Sequence, residues 1–188
     1  MICIRLFARS CFLLLFMCFI TVNAETEEPS KGEKVMTISV QSSAFQEGQR
    51  IPERYTCKGA NVSPPLSWSG VPEGTKCLVL ICDDPDASVG TWAHWVVYGI
   101  SAATTELPEG VPPRETFSGG AKHGLNDSRK LGYSGPCPPP GSKHRYFFKL
   151  YALDTDIDLD FGAEKTIVLK RIKGHVIAEG QLMGIFER

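Results

Sequence analysis

The feature that most constrains the fold of this chain is the alternation of short apolar runs with segments rich in glycine and proline. Proline cannot donate a hydrogen bond inside a sheet, so these segments predict connections between strands. The apolar runs are short and rich in β-branched and aromatic residues, which favours strands over helices. The predicted strands lie within residues 36–45, 77–84, 92–100 and 144–154.

The segment 162–174 is the one good helix candidate, because basic residues come late in it and a glycine ends it. Its apolar residues include Ile167, Leu169 and Ile172. With so few helical segments, a doubly wound α/β fold is disfavoured. We therefore predict one mainly antiparallel β domain over residues 36–188, with one or two short helices.

The N-terminus has the pattern of a secretory signal peptide over residues 1–24. Arg5 and Arg9 precede an apolar run that is too short to cross a bilayer comfortably, and Val-Asn-Ala follows it. A polar leader, residues 25–35, comes next. We expect an exported protein, periplasmic or secreted, without a stable membrane span after cleavage; an uncleaved anchor is the weaker alternative.

The charge of the chain does not favour nucleic acid as a partner. The full sequence has 20 basic and 21 acidic residues, and loss of Arg5 and Arg9 with the signal leaves 18 and 21, a net charge of −3. No run of lysine or arginine forms a basic stripe.

Four cysteines remain after residue 24, and in an oxidising compartment they allow three disulfide connectivities. Cys77 and Cys82 lie in one apolar strand, and a separation of five puts them on opposite faces, so they cannot bond each other. Cys57 and Cys137 lie in glycine- and proline-rich segments, and we predict that these two form the disulfide. CxxC spacing is absent, which gives little support to a zinc or thioredoxin-type site.

Three aspartates, Asp83, Asp84 and Asp86, stand where an apolar strand ends, and His94 begins the next strand. Asp-Pro-Asp is also ordinary turn chemistry, in which the carboxylates accept hydrogen bonds from backbone amides. If the two strands are neighbours in the sheet, their ends bring Asp84 and His94 close together, though not necessarily on one face. At this point a turn and a site are equally good interpretations.

The segment 132–148 is a stronger indication of a pocket. Three consecutive prolines between glycines make a stiff loop, and His144 and Tyr146 follow on one face of the next strand. A long surface crossover is the alternative interpretation. The remaining histidines, His123 and His175, are interpreted as structural or solvated.

Together these segments resemble the phosphatidylethanolamine-binding proteins, and most of all their bacterial Raf-kinase-inhibitor-like branch (the YbhB/YbcL type). The resemblance covers roughly residues 36–188 and is carried by the Asp-Pro-Asp-Ala motif with a downstream histidine and by Gly-Pro-Cys-Pro-Pro with His-Arg-Tyr. It implies an antiparallel Greek-key β-sandwich without catalytic residues, cofactor or metal. It also implies a small pocket for an anion or a phosphoethanolamine-type phospholipid head group.

The resemblance assigns seven residues to that pocket. The chain departs from the family pattern at Ser88 and Ser128, which places the changes on the rim of the pocket. The implied ligand-binding residues are Asp84, Pro85, Asp86, His94, Pro138, His144 and Tyr146.

Non-enzymatic binding is therefore the function that the sequence favours. A protein-interaction module that inhibits a kinase or a protease is the second hypothesis, since family members are linked to such inhibition. A phosphoester hydrolase, dependent on a metal or on acid/base residues, is the third. Neither a HExxH pair nor a Gly-x-Ser-x-Gly elbow is present in the sequence.

Overall fold

The computed structural model describes residues 36–188, which form ten strands, one α-helix and two short 3-10 helices. The predicted signal peptide and polar leader lie outside the described residues. The 3-10 helices are Glu53–Tyr55 and Ser118–Gly120. The strands and the helix are β1 (Met36–Thr37), β2 (Ser39–Gln41), β3 (Leu66–Ser69), β4 (Cys77–Asp84), β5 (Trp92–Ser101), β6 (Glu106–Leu107), β7 (Thr116–Phe117), β8 (Ala121–His123), β9 (Lys143–Leu153), α1 (Lys165–Ile172) and β10 (Val176–Glu187).

The strands form two sheets. The larger sheet has the order β1-β10-β9-β4-β5-β8-β7, and the smaller one has the order β2-β3-β6. Neighbouring strands are antiparallel except β1 and β10, which run parallel and make the larger sheet mixed. The long central strands β9, β4 and β5 provide the frame on which the site is built.

Both faces of the larger sheet are covered. On one face, Leu80 and Phe148 belong to a buried cluster that also contains Val40 and Trp68 of the smaller sheet. On the opposite face, residues of β4 and β5 pack with Val168 of α1. This is why β4 is buried at every position and reads as a continuous apolar run, where a strand with one solvated face would alternate.

The mainly β class and the four predicted strand regions are confirmed. Residues 36–45 contain two short strands, β1 and β2, rather than one. The helix is confirmed, but its buried residues are Val168 and Ile172, while Ile167 and Leu169 are exposed. The connection order of a Greek key stays a prediction.

Strand β10 was not predicted from the residues alone, because Gly180 and Gly184 interrupt its pattern. A Cβ at Gly180 would lie 1.9 Å from the carbonyl oxygen of Ile38, and one at Gly184 would lie 2.5 Å from Ile51. The glycines are therefore required by the close approach of neighbouring chain segments. Within residues 36–188, no helix is long and apolar enough to cross a membrane.

Candidate functional site

The register of the larger sheet brings the candidate residues together. Strand β4 ends between its two antiparallel neighbours, opposite the start of β5 on one side and Phe147 of β9 on the other. Cys82 is opposite Trp95, but Asp83 is opposite Ala93, so His94 is an extra residue in a β-bulge. A bulge redirects a side chain and is common next to binding sites. In this case it places His94 beside the carboxylate of Asp84.

The carboxylate of Asp84 is the centre of the cluster. Its side chain is 5% exposed, and its Oδ2 lies 2.8 Å from Nδ1 of His144 and 3.9 Å from Nε2 of His94. Its Oδ1 accepts a hydrogen bond of 2.8 Å from the backbone amide of Asp86. Both interpretations of the sequence therefore apply to this residue, since one oxygen stabilises the turn and the other faces the histidines.

His94 is held by a backbone carbonyl. Its Nδ1 lies 2.6 Å from the carbonyl oxygen of Ser134, and a carbonyl can only accept, so Nδ1 carries the proton. Burial lowers the pKa of His94 below its ordinary value, although the Ser134 carbonyl and Asp84 partly oppose this effect. His94 is consequently neutral near pH 7, with an unprotonated Nε2 directed at Asp84.

Tyr146 lies beneath the two histidines. Its ring centroid is 5.1 Å from that of His94, in an edge-on arrangement, and 6.5 Å from that of His144. The side chain is fully buried, and its hydroxyl has no hydrogen-bond partner among the described residues. Burial, and then the negative charge of Asp84, raise the pKa of Tyr146 above its ordinary value, so the hydroxyl remains a donor.

A pocket of about 290 Å³ opens above this cluster. Asp84, His94 and His144 line its floor, and Pro138 of the proline loop forms part of its wall. The remaining lining residues are Ala87, Ser88, Val89, Trp92, Ser128, Ser134, Gly135, Cys137 and Pro139. Ser88 and Ser128, the two departures from the family pattern, thus both line the pocket.

Three of the seven predicted residues do not line this pocket. Tyr146 supports it from below, and Pro85 is an exposed residue of the turn. Asp86 borders a neighbouring, open depression, and both of its oxygens accept hydrogen bonds from the Arg145 side chain, at 2.7 and 2.9 Å. Those bonds lower the pKa of Asp86 to about 2. The carboxylate therefore remains ionised and is already satisfied by Arg145.

The proline loop is attached to residues 55–61 by several links. Cys57 and Cys137 form a disulfide with Cα atoms 5.4 Å apart, while Cys77 and Cys82 are buried free thiols. The amide of Gly135 donates a 2.7 Å hydrogen bond to Asn61 Oδ1. That amide belongs to the same peptide group as the Ser134 carbonyl that accepts from His94. Residues 55–61 therefore position the wall that orients His94.

Several of these contributors were not predicted from the sequence. Asn61, Ser134 and Arg145 contribute through contacts between distant segments, so no local pattern marks them. Trp92 had a usable signal, since it precedes His94 in the same strand and next to the same turn. His123 and His175 lie elsewhere, His123 fully buried and His175 paired with Asp154. Among residues 36–188, no group of His, Cys, Asp or Glu side chains has the arrangement of a metal site.

Comparison with known proteins agrees with this architecture. The sequence profile of the phosphatidylethanolamine-binding protein family matches residues 41–187. A UPF0098 protein of Methanothermobacter thermautotrophicus is 52% identical over 151 residues, which cover 80% of this chain and 99% of that protein. The chain belongs to the phosphatidylethanolamine-binding protein family.

Two crystal structures show the same fold. One is a putative phosphatidylethanolamine-binding protein homologue, CT736, from Chlamydia trachomatis, with a TM-score of 0.74 and 43% identity. The match covers 81% of this chain and 98% of that one. The other is Escherichia coli YbcL, with a TM-score of 0.75 and 35% identity over 80% of this chain and 98% of its own.

Proposed function

We propose that the protein binds a small phosphate-containing head group, such as phosphoethanolamine, in the pocket above Asp84. Membership of the family supports a binding function in general terms. The observation that carries the specific proposal is the Asp84–His144 pair, buried at the floor of an otherwise accessible pocket. Carboxylate, imidazole and serine groups meet there in a space of about 290 Å³.

The size of the pocket limits the ligand. Pockets for drug-sized molecules usually measure about 300–1,000 Å³, so this one is at the lower end of that range. A head group fits such a volume, whereas acyl chains would have to remain outside. A phosphate at the floor can accept hydrogen bonds from the three serines that line the pocket, and the ammonium of a zwitterionic head group offsets the negative charge brought close to Asp84.

Titration calorimetry with O-phosphoethanolamine tests the proposal, using His144→Ala and a matched control, His175→Ala. Both histidines place Nδ1 about one hydrogen-bond length from an aspartate, but His175 pairs with Asp154 beyond the far end of β9. We expect His144→Ala to weaken binding at least tenfold and His175→Ala to leave it within twofold. Equal effects of the two substitutions, or no binding by the unmodified protein, would refute the proposal.

The same samples separate binding from turnover. Incubation with generic phosphoesters, with and without a chelator, should release no phosphate above the buffer control. Release that disappears in His144→Ala would instead support the hydrolase hypothesis. A protein partner retained equally by the unmodified protein and by His144→Ala would favour the interaction hypothesis.

A further inference from the structure

We propose that the pocket floor selects ligands whose phosphate still carries a proton, and that it therefore discriminates a phosphate monoanion from sulfate. This inference rests on the proposed function and deepens it, because it specifies the ionic form of the ligand. It follows from the positions of the protons on the two histidines.

The two groups at the centre of the floor are hydrogen-bond acceptors. The proton of His94 is on Nδ1, where it is donated to the Ser134 carbonyl, so Nε2 presents a lone pair. Oδ2 of Asp84 lies 3.9 Å from this nitrogen, which is longer than a hydrogen bond. Oδ2 accepts one hydrogen bond from Nδ1 of His144 and keeps a second lone pair, while Nε2 of His94 accepts none from the described residues.

His144, like His94, has a proton on Nδ1. Its Nδ1 lies 2.8 Å from Asp84 Oδ2, and aspartic acid is a stronger acid than imidazolium, so the proton in this bond belongs to the imidazole. The floor thus offers a ligand the carboxylate of Asp84, held by His144, and the Nε2 lone pair of His94.

An anion without a proton is repelled by the Asp84 carboxylate and has nothing to donate to either acceptor. Sulfate has no proton between pH 5 and 8, so it cannot donate to Asp84 Oδ2 or to His94 Nε2. A phosphate monoester has a second pKa of about 6, and its monoanion has one hydroxyl that can donate between these two acceptors. A site built to receive a hydrogen bond rejects an analogue that lacks the donor, because its buried acceptors are then left unpaired.

Protein groups also titrate in this range, so the experiment needs an internal reference. The ionisable groups close to the two histidines on the pocket side are Asp84 of β4, Asp86 of the turn, Asp127, and Arg145 and Tyr146 of β9, while Asp83 lies on the opposite face of the sheet. Sulfate and phosphate are both tetrahedral oxyanions, so the protein side of the site is the same for the two ligands. At pH 5.5 they differ by one proton and by the unit of charge that this proton neutralises, and the ratio of the two affinities reports that proton.

The test is titration calorimetry of the protein with inorganic phosphate, O-phosphoethanolamine and sulfate, at pH 5.5 and pH 8. At pH 5.5 we expect both phosphates to bind at least about tenfold more tightly than sulfate, because bound sulfate would leave one buried acceptor without a donor. At pH 8 this ratio should fall as the phosphates lose their proton. Equal affinity for sulfate and phosphate at pH 5.5 overturns the inference and leaves the proposed function intact.

Further ligands and variants sharpen the result. If O-phosphoethanolamine and ethanolamine bind but inorganic phosphate does not exceed sulfate, the ammonium is the donor and the inference is wrong. If no ligand binds, the proposed function fails as well. Asp84→Asn replaces an acceptor with an amide that can donate to sulfate, so it should bring the phosphate-to-sulfate ratio towards one.

Asp154→Asn is the matched control, since Asp154 forms a similar carboxylate–imidazole pair with His175 at 3.0 Å, away from the pocket. It should retain the ratio of the unmodified protein, and a ratio that shifts as it does in Asp84→Asn would contradict the assignment to Asp84. The ratio in the unmodified protein remains decisive even if Asp84→Asn does not fold.

Discussion

Asp83 and Asp84 are adjacent in the chain and almost equally buried, yet they have different partners. Asp83 is 5% exposed and Asp84 is 3% exposed. On one face of the larger sheet, Asp83 accepts from Lys165 of α1 at 2.8 Å and from Lys149 at 3.2 Å. On the other face, Asp84 accepts from His144, with His94 nearby.

The comparison teaches that the partners of a buried carboxylate, and not its burial, distinguish the structural role of Asp83 from the binding role that we propose for Asp84. Two lysines satisfy Asp83 permanently and attach the start of α1 to the sheet. The histidines satisfy Asp84 only in part. His144 donates one hydrogen bond to its carboxylate, whereas His94 presents a lone pair to the same carboxylate and donates nothing to it. Strand alternation alone directs the two side chains to opposite faces.

The largest effect is expected from removing the disulfide, which supports the pocket face. A bridge between residues 80 apart contributes roughly 4 kcal/mol in the chain-entropy model, so Cys57→Ala with Cys137→Ala should lower the free energy of unfolding by about that amount. Urea unfolding measures it. A reductant should bring the unmodified protein to the stability of the variant and leave the variant unchanged, and a loss below about 1 kcal/mol would contradict the prediction.

The next largest loss of stability is expected on the face of the larger sheet that α1 covers. Asp83→Asn removes the partner of two lysines, one of them with a side chain only 13% exposed, and breaking such a pair costs about 3 kcal/mol. Asp84→Asn should cost nearer 1 kcal/mol, because its partner is an imidazole that can remain neutral. Urea unfolding of both variants at pH 7 distinguishes them. Equal losses would mean that the two faces do not differ as we describe.

A smaller effect concerns stability in acid and the buried His123. Burial lowers the pKa of His123 to about 4, and both of its ring nitrogens lack partners within the described chain. The unfolded chain takes up this proton below about pH 6.5 and the folded protein does not until about pH 4. The stability that depends on neutral His123 should therefore be lost as the pH falls from about 6.5 to about 4, and this contribution should not change further below pH 4.

His123→Phe isolates this contribution. From pH 7 to pH 4.5 the unmodified protein should lose about 2 kcal/mol more than the variant, as measured by urea unfolding at each pH. Parallel stability curves would show that His123 is not held neutral by the fold.

The larger elements could be predicted because local composition and tertiary structure agree. β4, β5 and β9 are rich in β-branched, aromatic and other apolar residues, and aspartates mark the C-terminal ends of β4 and β9. β10 could not be predicted from its residues, because the reason for Gly180 is the carbonyl of Ile38 on a distant segment. In α1 the pattern did not indicate which apolar residues are buried, since Ile167 and Leu169 face away from the sheet.

The candidate site was predictable in its residue types and not in its geometry. The sequence placed Asp84 and His94 at strand ends expected to lie close together, and it added His144 and Tyr146 through the proline loop and the family resemblance. It could not show that a bulge redirects His94, or that the Arg145 side chain is already hydrogen-bonded to the Asp86 carboxylate. Register and long-range pairing decide both features, and neither leaves a local signature.

The most direct test of the account compares the two aspartates in binding. O-phosphoethanolamine is titrated into Asp83→Asn, Asp84→Asn and the unmodified protein at pH 5.5, with folding of each variant checked by circular dichroism. We predict that Asp84→Asn weakens binding at least about tenfold, while Asp83→Asn, although less stable, binds within twofold of the unmodified protein. Equal weakening by both substitutions, or unchanged affinity in Asp84→Asn, would contradict the separation of a binding face from a structural face.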